Sequence, residues 1–230
     1  MQKIYDYIFE LSPKKLAIYL VLGPLLLFLL HTIFTIGIRN LSNNSPTQEN
    51  LIRIIIIILA LCLAIFVLLW LCWLRSVVYS VGDMQLGLPR KWFEIAYVAL
   101  WIYIIYTVTV SIIEPLMDTH FSGADYRYLI YASKEFMSFG GIMIAYPIVC
   151  HYAARAVTAK RNNSPATFVQ AIPLTLLLIF GTVLGIPFLH PHFSSRSSKN
   201  SRILTVYAIA FGLLVFIVII GFVAAVTGLL

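Results

Sequence analysis

Lys134 and Glu135 are adjacent ionisable residues inside an otherwise apolar stretch, 128–153. Charge within a bilayer is costly, so such a pair points either to an ion or proton pathway or to a lock between helices. Tyr131 and Ser133 belong to the same candidate polar site. Lys134 lies about two turns, roughly 9 Å, inside the outer end of the stretch, within partial reach of snorkelling. Successive helical positions point about 100° apart. Lys134 and Glu135 therefore need not pair with each other, and Glu135 is expected to seek Ser, Tyr or Arg on a neighbouring helix. The lock is the favoured expectation and the pathway its rival.

The histidines invite a metal or haem reading. His151, His190 and His192 would lie at one depth if the segment 168–189 returned to its starting side, and three imidazoles could bind zinc or iron. However, His190 and His192 are joined by Pro191, and no Asp or Glu lies nearby to orient the rings. A di-haem arrangement needs facing pairs at two depths, and only His31 is available at the other. Interfacial histidines are the expectation, with no metal and no cofactor. Cys62, Cys72 and Cys150 form no Cys-x-x-Cys pair and read as small packing residues. There is no Gly-x-Ser-x-Gly elbow, no His-Glu-x-x-His, no intramembrane Asp pair and no Gly-rich phosphate loop. The expectation is a protein that is not an enzyme.

The elements that carry these residues are membrane helices. The chain of 230 residues is 61% hydrophobic and 11% charged, against about 25% charged in soluble domains. Residues 51–74 are nearly unbroken hydrocarbon, with only Arg53 charged within them. The fold class is all-α: a polytopic transmembrane helix bundle with membrane segments at 16–38, 54–74, 92–113, 128–153, 168–189 and 203–229. An amphipathic approach, 1–15, precedes them, with Ile4, Tyr5, Ile8, Phe9 and Leu11 on its apolar stripe. Residues 1–230 form a single membrane domain. The partner this composition implies is the lipid bilayer. The net charge of +7 reports topology and does not imply nucleic acid.

Counting Lys and Arg by connection tests whether the fifth segment crosses. If all six cross, the two sides carry nine and six. If 168–189 enters and returns on one side, they carry twelve and three, a sharper positive-inside bias. Pro173, Gly181, Gly185 and Pro187 interrupt this segment, and broken backbone at membrane depth suits a re-entrant path packed against protein. The re-entrant path is favoured, giving five crossings, a cytoplasmic N-terminus and an outward C-terminus; an ordinary kinked span is the alternative. The acidic stretch 114–126 then faces outward. Arg75, Arg90, Lys91, Arg155, Lys160, Arg161 and Arg196 form a candidate cytoplasmic face for a protein partner.

Small residues supply candidate packing or oligomer faces: Gly140 with Gly141, Gly181 with Gly185, Ala208 with Gly212, and Gly221 with Ala225. The fourth segment is polar at both ends, with Tyr126, Arg127, Tyr128, Tyr131, Ser133, Lys134 and Glu135 at one and Tyr146, His151, Tyr152 and Arg155 at the other. Any helix lining an aqueous cavity is expected to be this one.

Residues 136–193 carry a Tyr-rich span ending Tyr152-Ala153-Ala154-Arg155, a polar connection through Ser164, Ala166-Thr167-Phe168, an apolar Pro/Gly stretch and a His190-Pro191 turn. With the loop 87–91 (Gly-Leu-Pro-Arg-Lys) inside 73–104, this layout resembles an uncharacterised family of small polytopic bacterial inner-membrane proteins. The chain departs from it in carrying a long apolar helix after Ser201. The resemblance implies an α-helical fold in the bacterial inner membrane and supplies no activity.

Three functional expectations follow. The first is a sensor, anchor or accessory subunit acting by association with a soluble or membrane protein partner. The second is a homo-oligomeric channel or membrane-disrupting effector, for example in bacterial defence or competition. The third is a small transporter, for which inverted repeats are expected and none is evident.

Overall fold

The computed structural model of the chain describes residues 7–41, 46–117, 124–194 and 200–226. After a helical turn at 7–10, helix α1 spans 13–41. Ser12 caps it, accepting from the Lys15 N–H at 3.3 Å, and Pro13 occupies the first position, where no N–H is required. There follow α2 (Pro46–Tyr79), the one-turn α3 (Asp83–Leu86), α4 (Arg90–Met117), α5 (124–162), α6 (Phe168–Leu189) with a 3₁₀ turn at His190–His192, and α7 (Asn200–Val226). No strand occurs among the described residues. Among the described residues, five stretches are long and apolar enough to cross a bilayer: Pro13–Phe34, Ile57–Tyr79, Arg90–Ile113, Tyr128–Asn162 and Arg202–Val223. The protein is an all-helical, polytopic integral membrane protein.

Two helices widen locally. In α1 the Gly23 N–H bonds the Ile18 carbonyl, and in α5 the Tyr146 N–H bonds that of Gly141, both five residues back. Each π-helical segment, Ile18–Leu22 and Phe139–Ala145, ends directly before a proline turn, at Pro24 and Pro147. Proline has no N–H to give and its ring crowds the carbonyl four residues back; slipping the ladder by one residue relieves both.

Contacts between side chains set the direction of each helix. Gly23 of α1 meets Phe66 of α2, while farther along α1 residues 27–34 face residues 55–62, an antiparallel pair. Phe93 of α4 meets Tyr79 of α2 edge-on and Tyr152 of α5 at a tilt, and Tyr106 of α4 meets Ser133 of α5, so α2, α4 and α5 alternate. In α7, Ile203 and Val206 pack on Ala17 near the start of α1, and α7 goes on to contact the rest of α1, so it runs parallel to α1 and starts at the same end.

This leaves α6 starting and finishing at one end. Its entry is fixed where the Ala166 N–H bonds the Gln85 carbonyl, and its exit where Trp73 bonds His190. Trp73 lies six residues before the end of α2, only about 9 Å along that helix, whereas a straight 22-residue α6 would run about 33 Å. The axis bends instead. Leu177 Cγ lies 3.2 Å from where a Gly185 Cβ would project, although eight residues of straight helix separate positions by about 12 Å. Gly181, Gly185 and Pro187 permit the bend. Tyr146 supplies a hydroxyl donor to the Leu178 carbonyl at 2.7 Å and the Ile179 carbonyl at 3.1 Å, and Tyr207 donates to that of Leu184. The sequence leads one to expect broken backbone here; helical bonding persists from Phe168 to Leu189 and the return is made by curvature.

The core gathers at the end where α6 enters and leaves. Trp73, Leu86, Phe93, Val149, Ala153 and Ile186 are inaccessible there, while toward the other end Ile65, Phe136 and Phe222 are 64%, 77% and 69% exposed. The bundle is closed at one end and open at the other. Gly141 lets α4 and α5 approach closely: a Cβ would lie 2.3 Å from Tyr103 Cγ. Gly141→Val is expected to cost about 3 kcal/mol, the upper range for overpacking. Thermal unfolding in detergent checks this, with partial recovery expected when Tyr103→Ala is combined with it.

Candidate functional site

The chemistry-bearing side chains concentrate at the closed end. Arg155 is 5% exposed. Its Nε donates to the Leu86 carbonyl at 2.6 Å and its Nη2 to that of Ala166, joining the loop after α2 to the loop before α6. Local sequence prepares both acceptors. Gly87 ends α3 at φ 62°, in the left-handed region, and a Cβ there would sit 2.6 Å from Arg155 Nη2. Asn163 ends α5 with φ 50°. Thr167 and Gln170 form a reciprocal capping box, at 3.4 and 3.2 Å, that starts α6 immediately after Ala166. Tyr152, one turn before Arg155, donates to the Pro89 carbonyl at 2.6 Å.

A second network surrounds Tyr79. Arg90 bonds Asp83 at 2.7 Å and the Val81 carbonyl at 2.8 Å, with its guanidinium 4.6 Å from the Tyr79 ring centre. Arg75 lies 3.6 Å from Glu94 and over the Tyr79 and Tyr97 rings, and the Tyr79 hydroxyl donates to Glu94. Sequence spacing allows Glu94 to pair locally with Arg90 or Lys91; it pairs with Arg75 on the preceding helix instead, because α2 and α4 pack antiparallel and bring the two side chains face to face.

His190 is fully buried. Its Nδ1 accepts from Trp73 Nε1 at 3.1 Å, and its Nε2 donates to the Leu11 carbonyl at 2.8 Å, which Ser194 also approaches at 3.2 Å. Trp73 can only donate and a carbonyl can only accept, so this clamp requires a neutral imidazole protonated at Nε2. Burial pushes the His190 pKa down from its ordinary value, against the opposing pull of the Leu11 carbonyl. The clamp ties the exit of α6 to the segment preceding α1, where Phe9 stacks on Phe193.

The three histidines that the sequence places at one depth do not converge. His190 is in the clamp, His192 is exposed, and His151 bonds Thr175 through Nδ1 at 2.9 Å. No cluster of three metal-ligating side chains occurs among the described residues. His151 instead borders a cavity of about 440 Å³ between α4, α5 and α6. A second cavity, of about 290 Å³, lies between α1 and α2 in the open half and is lined by apolar side chains and His31.

The polar group of α5 is likewise dispersed. Ser133 meets the Tyr106 hydroxyl at 2.5 Å and donates to the Ile130 carbonyl, Lys134 is half-buried, and Tyr131 and Glu135 are exposed. The π-helical segment advances the register after Phe139, so Gly141 lies under Tyr103 while Gly140 has no atom within 4 Å of its Cβ position. Gly181 and Gly185 face Leu177 of their own helix. Gly212 and Gly221 have nothing within 4 Å, and Ala208 is exposed. The side chain of Ala225, and Arg196 altogether, lie outside the described residues. Of the basic residues, Arg75, Arg90 and Arg155 engage groups within the bundle, while Lys91, Lys160 and Arg161 are exposed. Sequence reasoning missed the Arg155 staple and the His190 clamp; the Thr167-x-x-Gln box was the readable sign of a fixed α6 entry.

No protein-family model, curated protein or solved structure matches the chain.

Proposed function

We propose that this protein is a non-enzymatic membrane subunit that acts by association, as a sensor, anchor or accessory component. The observation that carries the reading is the contrast among cations at the closed end. Arg75, Arg90 and Arg155 brace the loops internally, which fixes the helix ends on which Lys91, Lys160 and Arg161 are exposed. A rigid end bearing solvated cations suits an acidic protein surface in the aqueous phase. The positive-inside bias makes that phase the cytoplasm, with the chain in the bacterial inner membrane and its N-terminus inside. The return of α6 supports this orientation, since it keeps both basic connections flanking α6 at one end.

The test is native mass determination in nanodiscs prepared from the host membrane, for the wild type and for Lys91→Glu/Lys160→Glu/Arg161→Glu. A stoichiometric complex with a second protein is expected, lost in the triple variant while C-terminal reporter topology and melting temperature hold. A homo-oligomer with no second protein, unaffected by the charge reversals, overturns the reading in favour of a channel.

A further inference from the structure

His151, at the edge of the cavity, carries one unused hydrogen-bonding atom, and the neighbouring bonds settle its character. Thr175 Oγ1 donates its single proton to the Ala171 carbonyl at 2.8 Å. At the 2.9 Å contact with His151 Nδ1, the threonine oxygen is therefore the acceptor, and the imidazole proton resides on Nδ1. A neutral ring in that tautomer leaves Nε2 as a bare lone pair. Nε2 is buried and has no hydrogen-bond partner among the described residues. A buried acceptor left unmatched costs roughly 1–3 kcal/mol, a cost that a donor supplied by a bound molecule would remove.

The surroundings define that molecule. Trp92, Pro147, Ile148, Phe168 and Thr175 line the cavity with His151, so its walls are apolar and aromatic. Its volume of about 440 Å³ falls within the usual range for small-molecule sites. It lies one turn from the Arg155 staple, and Trp92 beside Lys91 is placed where aromatic side chains meet headgroups. Phe168 packs beside the imidazole at the open side of the cavity. Its ring sits 4.6 Å from the imidazole, centre to centre, yet the residue is 60% exposed on the first turn of α6 and can rotate outward.

We propose that this cavity binds the hydroxyl-bearing head of a membrane amphiphile, the hydroxyl donating to His151 Nε2 while the apolar body rests against Trp92 and Ile148. Thr175 is a positioning residue, holding the tautomer that makes Nε2 an acceptor. Two sources share this chemistry, a diacylglycerol-type lipid and a long-chain quinol.

The experiment uses full-length protein with ¹⁵N-labelled histidine in phosphatidylcholine nanodiscs, whose headgroup offers no hydrogen-bond donor. Diacylglycerol, a long-chain quinol and phosphatidylmethanol, an anionic lipid without a hydroxyl, are added in separate titrations, and the His151 Nε2 resonance is followed. A saturable shift toward a hydrogen-bonded acceptor is expected with diacylglycerol or quinol, and whichever binds more tightly identifies the source. Retention measured by native mass spectrometry should fall at least tenfold in His151→Phe. Thr175→Val should also weaken retention while leaving the melting temperature within a few degrees. Phe168→Ala should speed exchange. A response to phosphatidylmethanol alone would indicate recognition of phosphate charge and overturn the proposal. So would no saturable shift, or unchanged retention in a folded His151→Phe protein.

Discussion

Arg155→Leu is expected to destabilise the bundle by about 3 kcal/mol, the joint effect of leaving two buried carbonyls unmatched at roughly 1–3 kcal/mol each, less the relief of desolvating the guanidinium. The acceptors, on Leu86 and Ala166, come from loops that this side chain joins alongside the backbone bond from the Ala166 N–H to the Gln85 carbonyl. Lysine is not an adequate replacement, because a single ammonium cannot reproduce the fork of separate donors. The measurement is thermal unfolding in detergent together with proteolysis of the loops at 80–89 and 163–167. Gly87 offers a second handle on the same joint. Gly87→Ala strains a φ of 62° and drives a methyl group to 2.6 Å from Arg155 Nη2, for an expected loss of about 2 kcal/mol. Because part of that loss is the collision with Arg155, the double variant should be less destabilised than the sum of the singles. Additive losses would show that the two residues act independently.

His190→Leu is expected to cost about 2 kcal/mol, since it leaves the Trp73 indole N–H unmatched in the core and the Leu11 carbonyl with Ser194 as its remaining side-chain donor. It should also release the segment before α1 to protease while the helices stay folded. Its distinctive readout is pH. The folded protein holds His190 neutral with a lowered pKa, whereas an unfolded chain takes up a proton near pH 6.5. Between those values the unfolded state binds more protons. The contribution is therefore fully present above about pH 6.5 and is lost as pH falls below it, by up to about 1.4 kcal/mol per pH unit, until the folded pKa is reached. Subtracting the His190→Leu profile from that of the wild type isolates this dependence. An unchanged slope below pH 6.5 would show that the clamp tolerates a charged ring.

The membrane fold was legible because it depends on quantities a sequence carries directly: lengths of hydrocarbon, positions of cations, and Gly and Pro. The return of α6 illustrates this, for the twelve-to-three charge asymmetry and the residues Gly181, Gly185 and Pro187 concern the same segment. What sequence could not carry was the pairing of polar groups. Arg155 falls just past the apolar run, where a cation ordinarily marks the aqueous boundary, yet α5 continues to Asn162 and a loop 69 residues away closes over it. Glu94 has two cations within a turn and pairs with a third across the bundle. The face through Gly140 and Gly141 assumes a uniform 3.6-residue period, which the π-helical segment breaks. Pro147 was the available sign of that slip.

The curvature of α6 has a consequence for biosynthesis. Two of its acceptors are met by Tyr146, already made when α6 leaves the ribosome, but the Leu184 carbonyl is met by Tyr207, 23 residues later. At 5–20 residues per second, that donor arrives about 1–5 s after its acceptor. Through that interval the nascent α6 lacks the tie that fixes its returning limb, which favours its waiting at the translocon or the water boundary. Helix α7, emerging after α6, thus releases the segment before it into its mature place, so a chain truncated before Tyr207 should be detained and degraded even with every preceding span intact.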